Sequence, residues 1–474
     1  MNIRDDFILK NIHKGYLVGG YIRDLLMNDK NISPKDRDIA IKGAESFAKQ
    51  LSEELDATFI ILDSENKIFR LVLKDKENFL DISELRGDSI EQDLEERDFT
   101  INAIAYDLSN DKIIDCTGGI RDIESRTLRH IKEQNYIDDP LRILRAYRFM
   151  STTGFDIDNN LSEILKKNSE LLKLPAKERI HDEIMKLFGG KYTSEALLKM
   201  YEDDILEIIF PCVCEIKKIP PNTHHHLDLI HHVIETVRQI EIQYCNECDE
   251  VKEHMDTTDF GGYPRMNHLK LAGFLHDIGK PSTWTLEKDG KTIWSIKDNS
   301  PIPDDKGCRH RFIKHDIEGS KIVVPLLKKL KFSNKQIEYI SLMIKNHIYP
   351  SGVISSPVLD EKVMMRYIRK MENNVIDNIL LAKADRLSAQ GVDVSKEMTE
   401  NNINGLTKLL QFYIKIKPTL KPLPKLIDGK EIMKILNIEQ SPKLGVMIKA
   451  LHEAQINGDV LTKEEAIDFL KSVL

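Results

Sequence analysis

The sequence predicts an α+β protein, with a small α/β head over roughly the first 130 residues and mostly helical modules after it. Three observations carry this. Up to about residue 130, short apolar runs of strand type alternate with runs of helix type, whereas from Asp138 onward the apolar spacing is helical. A chain of 474 residues is also too long for one hydrophobic core and implies three or four modules. No apolar run reaches the length of a bilayer and no signal-peptide pattern follows Met1, so we expect a cytoplasmic protein and no membrane contact. The six cysteines form no regular framework, which fits a reducing compartment. The net charge of −8 argues against a uniformly basic nucleic-acid binder and leaves room only for a local basic surface.

Strands are expected at Tyr16–Val18, Asp38–Ile41, Phe59–Leu62, Phe69–Leu73 and Phe79–Ile82, the last two forming a hairpin that carries Asp81. Gly19-Gly20 sits between the first strand and a helix-like run, Tyr21 to Met27, so the chain turns tightly and presents helix N-terminal amides, a setting suited to triphosphate. Sixteen residues after Gly20 come Asp36 and Asp38, which on a strand point to one face. Two such carboxylates can hold two hard cations about 3.5–4 Å apart, activating an attacking hydroxyl and neutralising a leaving pyrophosphate. Either feature alone is also what an ordinary turn or a solvated strand end would give; their order in one segment favours the site. Arg97-Asp98 then precede Phe99 to Ala105, read as the start of an amphipathic helix. A charged helix is expected to run from Gly118-Gly119 to Leu128-Arg129.

These segments resemble the class II tRNA nucleotidyltransferases, the CCA-adding enzymes that share a catalytic core with bacterial poly(A) polymerases. The matches are LVGGYIRDLL with KDRDIAI, then Glu96-Arg97-Asp98-Phe99-Thr100-Ile101-Asn102-Ala103, then Asp138-Asp139-Pro140-Leu141-Arg142, then Glu178-Arg179-Ile180 with Glu183. The resemblance implies metal-dependent transfer of CMP and AMP from CTP and ATP to the 3′ end of tRNA, with Mg²⁺ held at Asp36 and Asp38 and Asp81 as a third catalytic carboxylate. It also implies that Gly19, Gly20 and Arg23 position triphosphate, that Arg97, Asp98 and Asn102 meet the sugar and phosphates, and that Asp139 and Arg142 read the Watson–Crick edge of the base. Arg142, Arg145 and Arg148 recur every three residues, a pattern that serves either nucleotide binding or a salt-laced packing helix. Two departures stand out: the family's doubled arginine is Glu96-Arg97 here, and its first neck acid is Asp138 rather than Glu. Only Gly87 to Glu96 separates Arg86 from the Arg97-Asp98 element, where enzymes that add all of CCA carry a longer loop. CC-only addition and poly(A) polymerisation are therefore the alternatives within the family.

Beyond residue 220 the composition turns helical and rich in histidine. His232, His276-Asp277 in AGFLHDIGKPS, and Asp385 in LLAKADRLS resemble the HD phosphohydrolases, which implies a divalent metal, of a kind the sequence does not specify, that activates water against a phosphate ester. Lys280, His315 and His347 are candidates for phosphate or second-metal contacts, and a phosphohydrolase is the alternative function from a different class. His224-His225-His226 and the lone Cys245-x-x-Cys248 carry no comparable signal, the latter reading as two reduced thiols. A hairpin turning at Asp289-Gly290 is expected from Thr285 to Ile296, followed by a loop from Asn299 to His310. Near the C-terminus, Lys415, Lys417, Lys421, Lys425, Lys430 and Lys434 face only Asp428 and Glu431, a basic segment suited to RNA phosphate without sequence reading or to a solvated surface. The expected organisation is a head over 1–130, a helical neck over 131–215, an HD domain over 220–400 and a C-terminal tRNA-binding body over 401–474; protein partners are left open.

Overall fold

The computed structural model describes residues 3–27, 37–223, 226–356, 359–420 and 423–473. The chain forms two compact units, Met1–Val213 and Cys214–Leu474. Among the described residues, no helix is long and apolar enough to cross a membrane.

The first unit opens with the head. Its elements are β1 (Tyr16–Val18), α1 (Gly20–Met27), β2 (Arg37–Ile41), α2 (Ala44–Glu54), β3 (Thr58–Asp63), β4 (Ile68–Val72), β5 (Phe79–Glu84), α3 (Ile90–Glu95), β6 (Ala105–Asp107), β7 (Lys112–Ile114) and α4 (Gly119–Glu124). They build one mixed sheet of order β3-β4-β5-β2-β1-β6-β7, in which β2 and β5 run parallel. Period-two alternation divides the sheet. One face is apolar, with Leu17, Ile39, Leu71, Leu80 and Ile82 buried, and α2 packs on it through Ala44, Ala48 and Leu51. Arg37 points to that same face and is buried against Asp6 at 2.8 Å, and the Tyr21 hydroxyl donates to the same carboxylate. On the other face a single row crosses the sheet, Arg70–Asp81–Asp38–Val18–Ala105–Ile114.

The five strands expected in the head form, each within a residue or two of its predicted ends. Two expectations are corrected. Phe99 to Ala105 is not the start of an α-helix: Thr100–Asn102 makes one 3₁₀ turn, and Ala105–Asp107 then pairs antiparallel with β1. Phe99, Ile101, Ala103, Ile104 and Ala105 are all buried, so the segment has no solvent face and the available edge of β1 decides its state. The charged helix ends at Glu124 rather than Arg129, because Arg126 adopts a left-handed conformation (φ 53°) and β8 (Thr127–Leu128) pairs with β9 (Asp156–Ile157).

The neck comprises α5 (Gln134–Asp138), α6 (Leu141–Thr153), α7 (Asn159–Lys167), α8 (Lys177–Phe188) and α9 (Thr193–Glu202). Helix α6 begins just after Pro140, ends on left-handed Gly154, and packs on α8 and α9. Ile143, Leu144, Ala146 and Tyr147 bury its apolar side, while its arginines emerge on the other.

In the second unit, helix Arg265–Leu275 is buried along its entire length, as befits the central element of a helical domain. Helices Leu229–Asn246, Asn334–Asn346 and Val375–Ser388 pack against it. The expected hairpin forms as Trp284–Lys288 and Lys291–Ser295, turning at Asp289 and Gly290, both with positive φ. The following segment is not loop throughout: Arg309–Phe312 adds a third strand, paired along Trp284–Glu287. Helices Gly429–Leu436, Pro442–Asn457 and Lys463–Ser472 enclose a small core of their own, including Ile432, Leu451, Ala466 and Leu470.

Candidate functional sites

The polar row of the head sheet floors a cleft of about 630 Å³, lined among others by Asp38, Asp81, Arg97, Asp98, Asp139, Arg142, Arg145 and Arg179. Parallel pairing of β2 and β5 sets Asp38 directly beside Asp81. Gly19 makes this corner possible: its φ is +78°, and a Cβ there would lie 3.2 Å from Asp38 Oδ2 and 3.5 Å from Arg97 Nη1. Asp36 lies outside the described residues.

Asp81 is held by a residue that the sequence reading passed over. Arg70 donates from Nε and Nη2 to the two Asp81 oxygens at 2.7 Å each, and its guanidinium lies 4.2 Å from the centre of the Phe79 ring. The signal available in the sequence was the hairpin itself, whose register sets residue 70 opposite residue 81.

Asp98 organises the wall between sheet and neck. Its Oδ1 accepts from the Phe99 amide and from Asn102 Nδ2, and its Oδ2 accepts from Arg145 Nε and Nη2 at 3.0 and 2.7 Å. Burial alone would raise its pKa; the Arg145 charge and these hydrogen bonds prevail and hold it down at about 2. Arg23 Nη1 donates to Asn102 Oδ1 at 2.7 Å, with its guanidinium 5.1 Å from the Phe149 ring centre. Arg148 is directed at Glu183, 2.7 Å from Nε to Oε2. Arg23, Asn102, Arg148, Gly19 and Gly20 are not among the side chains that line the cleft, whereas Arg142, Arg145 and Asp139 are. Arg142 donates to the Glu96 carbonyl, and Arg179 donates to both oxygens of Asp139 at 3.2 Å. Arg179 and Glu183 belong to a motif legible in the sequence but were not singled out as site residues.

The second centre, in the other unit, is built from histidines. His232 comes from helix Leu229–Asn246, His276 and Asp277 follow helix Arg265–Leu275, and Asp385 lies on helix Val375–Ser388. His315 opens helix His315–Lys329 and His347 closes helix Asn334–Asn346. Gly279 lets His315 approach, because a Cβ there would fall 2.1 Å from the His315 carbonyl. Nδ1 of His276, His315 and His347 each lies 2.7 Å from a backbone carbonyl, of Gly273, Phe312 and Ile344. A carbonyl only accepts, so Nδ1 carries the proton and Nε2 presents a lone pair. Those Nε2 atoms, and that of His232, whose Nδ1 lies 3.2 Å from the Ser388 hydroxyl, converge on carboxylates: His232 and His276 lie 3.3 and 3.2 Å from Asp277 Oδ2, and 3.3 and 3.5 Å from Asp385 Oδ1. His315 and His347 face the other Asp277 oxygen at 3.2 and 3.9 Å. Lone pairs facing lone pairs in a buried pocket repel unless a cation or a proton lies between them. The donor set therefore fits a metal, and the ligand atoms of His232, His276 and Asp277 lie within 4.8 Å of one another, as do those of His276, His347 and Asp385 and those of Asp277, His315 and His347. Taken without a cation, burial works against charge on His276, but Asp277 and Asp385 prevail and raise its pKa to about 10; burial and the neighbouring His276 and His315 push His347 down to about 3. The centre opens onto a smaller cleft of about 240 Å³ bordered by Lys280, Arg309 and Arg311.

Cys245 and Cys248 are free and exposed, and His224, His225 and Lys421 lie outside the described residues.

A poly(A) polymerase head domain matches residues 15–129, a probable RNA- and SrmB-binding site of polymerase A matches 154–217, and an HD domain matches 248–390. The head, with its paired aspartates and Gly19 turn, is that of a nucleotidyltransferase. The chain is 26% identical over 461 residues to the A-adding tRNA nucleotidyltransferase of Deinococcus radiodurans, covering 96% of this chain and 94% of that one. It is 26% identical over 472 residues to the CC-adding tRNA nucleotidyltransferase of Thermus thermophilus, covering 98% and 95%. The fold matches that of the Thermotoga maritima CCA-adding enzyme complexed with tRNA, with a TM-score of 0.54 at 22% identity over 97% of this chain and 90% of that one. The chain thus combines a poly(A) polymerase-type head, an RNA-binding segment and an HD domain, and over nearly its whole length it is similar to tRNA nucleotidyltransferases.

Proposed function

We propose that this protein completes the 3′ end of tRNA, transferring CMP and AMP from CTP and ATP to the terminal hydroxyl and releasing pyrophosphate. The observation that carries this is Asp38 set in register beside Asp81 on the floor of a cleft whose other wall holds Asp139 and Arg142. Asp38, with Asp36, is the ligand set for Mg²⁺, which when bound would acidify the 3′-hydroxyl and offset the charge of the leaving pyrophosphate. Asp81 is the acceptor for the hydroxyl proton. Gly19, Gly20 and Arg23 lie at the turn that receives triphosphate, and Arg97 and Asp98 set the sugar and phosphate side of the cleft, with Asn102 behind them holding Asp98 and Arg23. Arg142, and Asp139 fixed by Arg179, offer a donor and an acceptor to a base edge; Arg145 and Arg148 hold α6 in place through Asp98 and Glu183. Action on tRNA places the protein in the cytoplasm, and the C-terminal lysines supply non-specific phosphate contacts.

A specific observation favours a second reading, CC-only addition. The connector from Gly87 to Glu96 contains only helix α3, capped by Ser89 and anchored by buried Ile90 and Leu94, so the long loop of full CCA addition has no counterpart there. The Thermus relative adds CC.

The deciding experiment supplies labelled CTP and ATP, singly and together, with Mg²⁺, to a tRNA transcript lacking CCA. Growth by three nucleotides establishes CCA addition, a stop at two establishes CC addition, and no growth overturns the reading. The HD centre is a separate phosphohydrolase site, where His232, His276, Asp277 and Asp385 would hold a divalent cation that activates water against a phosphate ester, and His315 and His347 are placed to assist at Asp277. Metal analysis of the purified protein identifies the ion.

A further inference from the structure

We infer that Arg70 is a positioning residue of the nucleotidyl-transfer site: by occupying both oxygens of Asp81 it keeps that carboxylate from chelating a cation and aims it at the attacking hydroxyl, leaving cation binding to Asp38 on β2. The inference rests on the reading of the head given above.

Four features support it. Arg70, Asp81 and Asp38 occupy one row on three adjacent strands, so the guanidinium is built into the same face as the acids. The two 2.7 Å bonds form a bidentate fork, which fixes the plane of the carboxylate as a single bond would not. Phe79, two residues earlier on β5, lies against the guanidinium at 4.2 Å and keeps the fork from swinging into the cleft. A carboxylate whose two oxygens already accept charge-assisted bonds has lost its capacity for bidentate metal binding yet retains a lone pair for one further proton. The row thus contains a neutral Arg70–Asp81 pair next to Asp38, rather than two adjacent anions competing for the same ions.

The test measures CMP incorporation into a tRNA transcript lacking CCA, as a function of Mg²⁺ and CTP, for Arg70→Gln and Arg70→Lys. Arg70→Gln lowers kcat roughly 10- to 100-fold with KM for CTP within about threefold, because orientation rather than binding is lost. It also lowers the half-saturating Mg²⁺ concentration, since the released carboxylate now joins the cations. Arg70→Lys restores the wild-type Mg²⁺ dependence but not kcat, because an ammonium supplies charge without the fork. Should the glutamine variant fail to fold, the lysine variant carries the test through its reduced kcat at unchanged Mg²⁺ dependence. Wild-type Mg²⁺ dependence in Arg70→Gln, or full kcat in Arg70→Lys, overturns the inference. Asp38→Asn runs in parallel. Retained incorporation in that variant overturns the reading of the head and the inference with it; abolished incorporation alongside wild-type behaviour of Arg70→Gln overturns the role of Arg70 alone.

Discussion

The two centres of this chain balance charge in opposite ways. In the head, three carboxylates that line the cleft are each answered by a guanidinium: Asp81 by Arg70, Asp98 by Arg145 and Asp139 by Arg179. In the HD domain, Asp277 and Asp385 are answered by imidazoles: those of His276, His315 and His347 have the other nitrogen committed to the backbone, and that of His232 has it against the Ser388 hydroxyl. Arginine is charged at every accessible pH, so these three acids are balanced permanently and the cleft stays open to a large polyanionic substrate. Neutral imidazoles supply lone pairs and no charge, so beyond the single Lys280 ammonium, 2.5 Å from Asp277 Oδ2, the HD centre calls for a cation or for protons. An open site that must accept a nucleotide and an RNA end is built from permanent charge, and a buried one that must retain an ion is built from ligands.

The comparison breaks most sharply under paired substitution. Asp38→Ala lowers nucleotide incorporation by at least ~10³-fold, since a metal ligand at the floor of the cleft is gone, and leaves hydrolysis of a model phosphomonoester by the HD domain unchanged. Asp277→Ala does the reverse, with loss of bound metal by elemental analysis and of hydrolysis, while incorporation is retained. If either variant abolishes both activities while folded, the two centres are not chemically independent.

A smaller effect is expected at Gly19. Alanine there meets a φ of +78° and Asp38 Oδ2 at 3.2 Å, so the turn must shift or the carboxylate must rotate. A displacement of that size costs roughly 10- to 100-fold in kcat, with little change in the melting of the HD domain. Wild-type kcat in Gly19→Ala would show that the corner tolerates a side chain and that the position of Asp38 is set elsewhere.

Much of this was legible in the residues, and unevenly so. The head strands follow from period-two alternation, and their order from local hairpins and from one parallel pair. His276-Asp277 signalled the HD centre because few structural demands place those two side chains side by side on a buried turn. What stayed hidden depended on partners distant in sequence. Arg70 becomes meaningful only when β4 is laid against β5, and the role of Phe99 to Ala105 was decided by β1, which lies more than eighty residues earlier. His315 and His347 reach Asp277 from two further helices, and the approach of His315 depends on Gly279 having no side chain. Local pattern determined the elements; tertiary pairing determined which of their polar residues meet.

The smallest expected effect is also the most direct probe of the arginine-held side of the comparison. Asp98 is only 6% exposed, and with its pKa held at about 2 against a usual 3.8 it stabilises the folded head. Because the folded value is the lower one, that contribution is fully present above about pH 3.8 and disappears as pH falls through 2; it amounts to about 2 kcal/mol at neutral pH. Asp98→Asn therefore lowers the urea midpoint of the head transition at pH 7, and the gap from wild type narrows between pH 4 and 2. Between pH 5 and 9 the gap is flat, because Arg145 does not titrate there. A gap that varied across that neutral range would mean that a histidine, not Arg145, answers Asp98, and the contrast between the two centres would fail at the residue where it is easiest to measure.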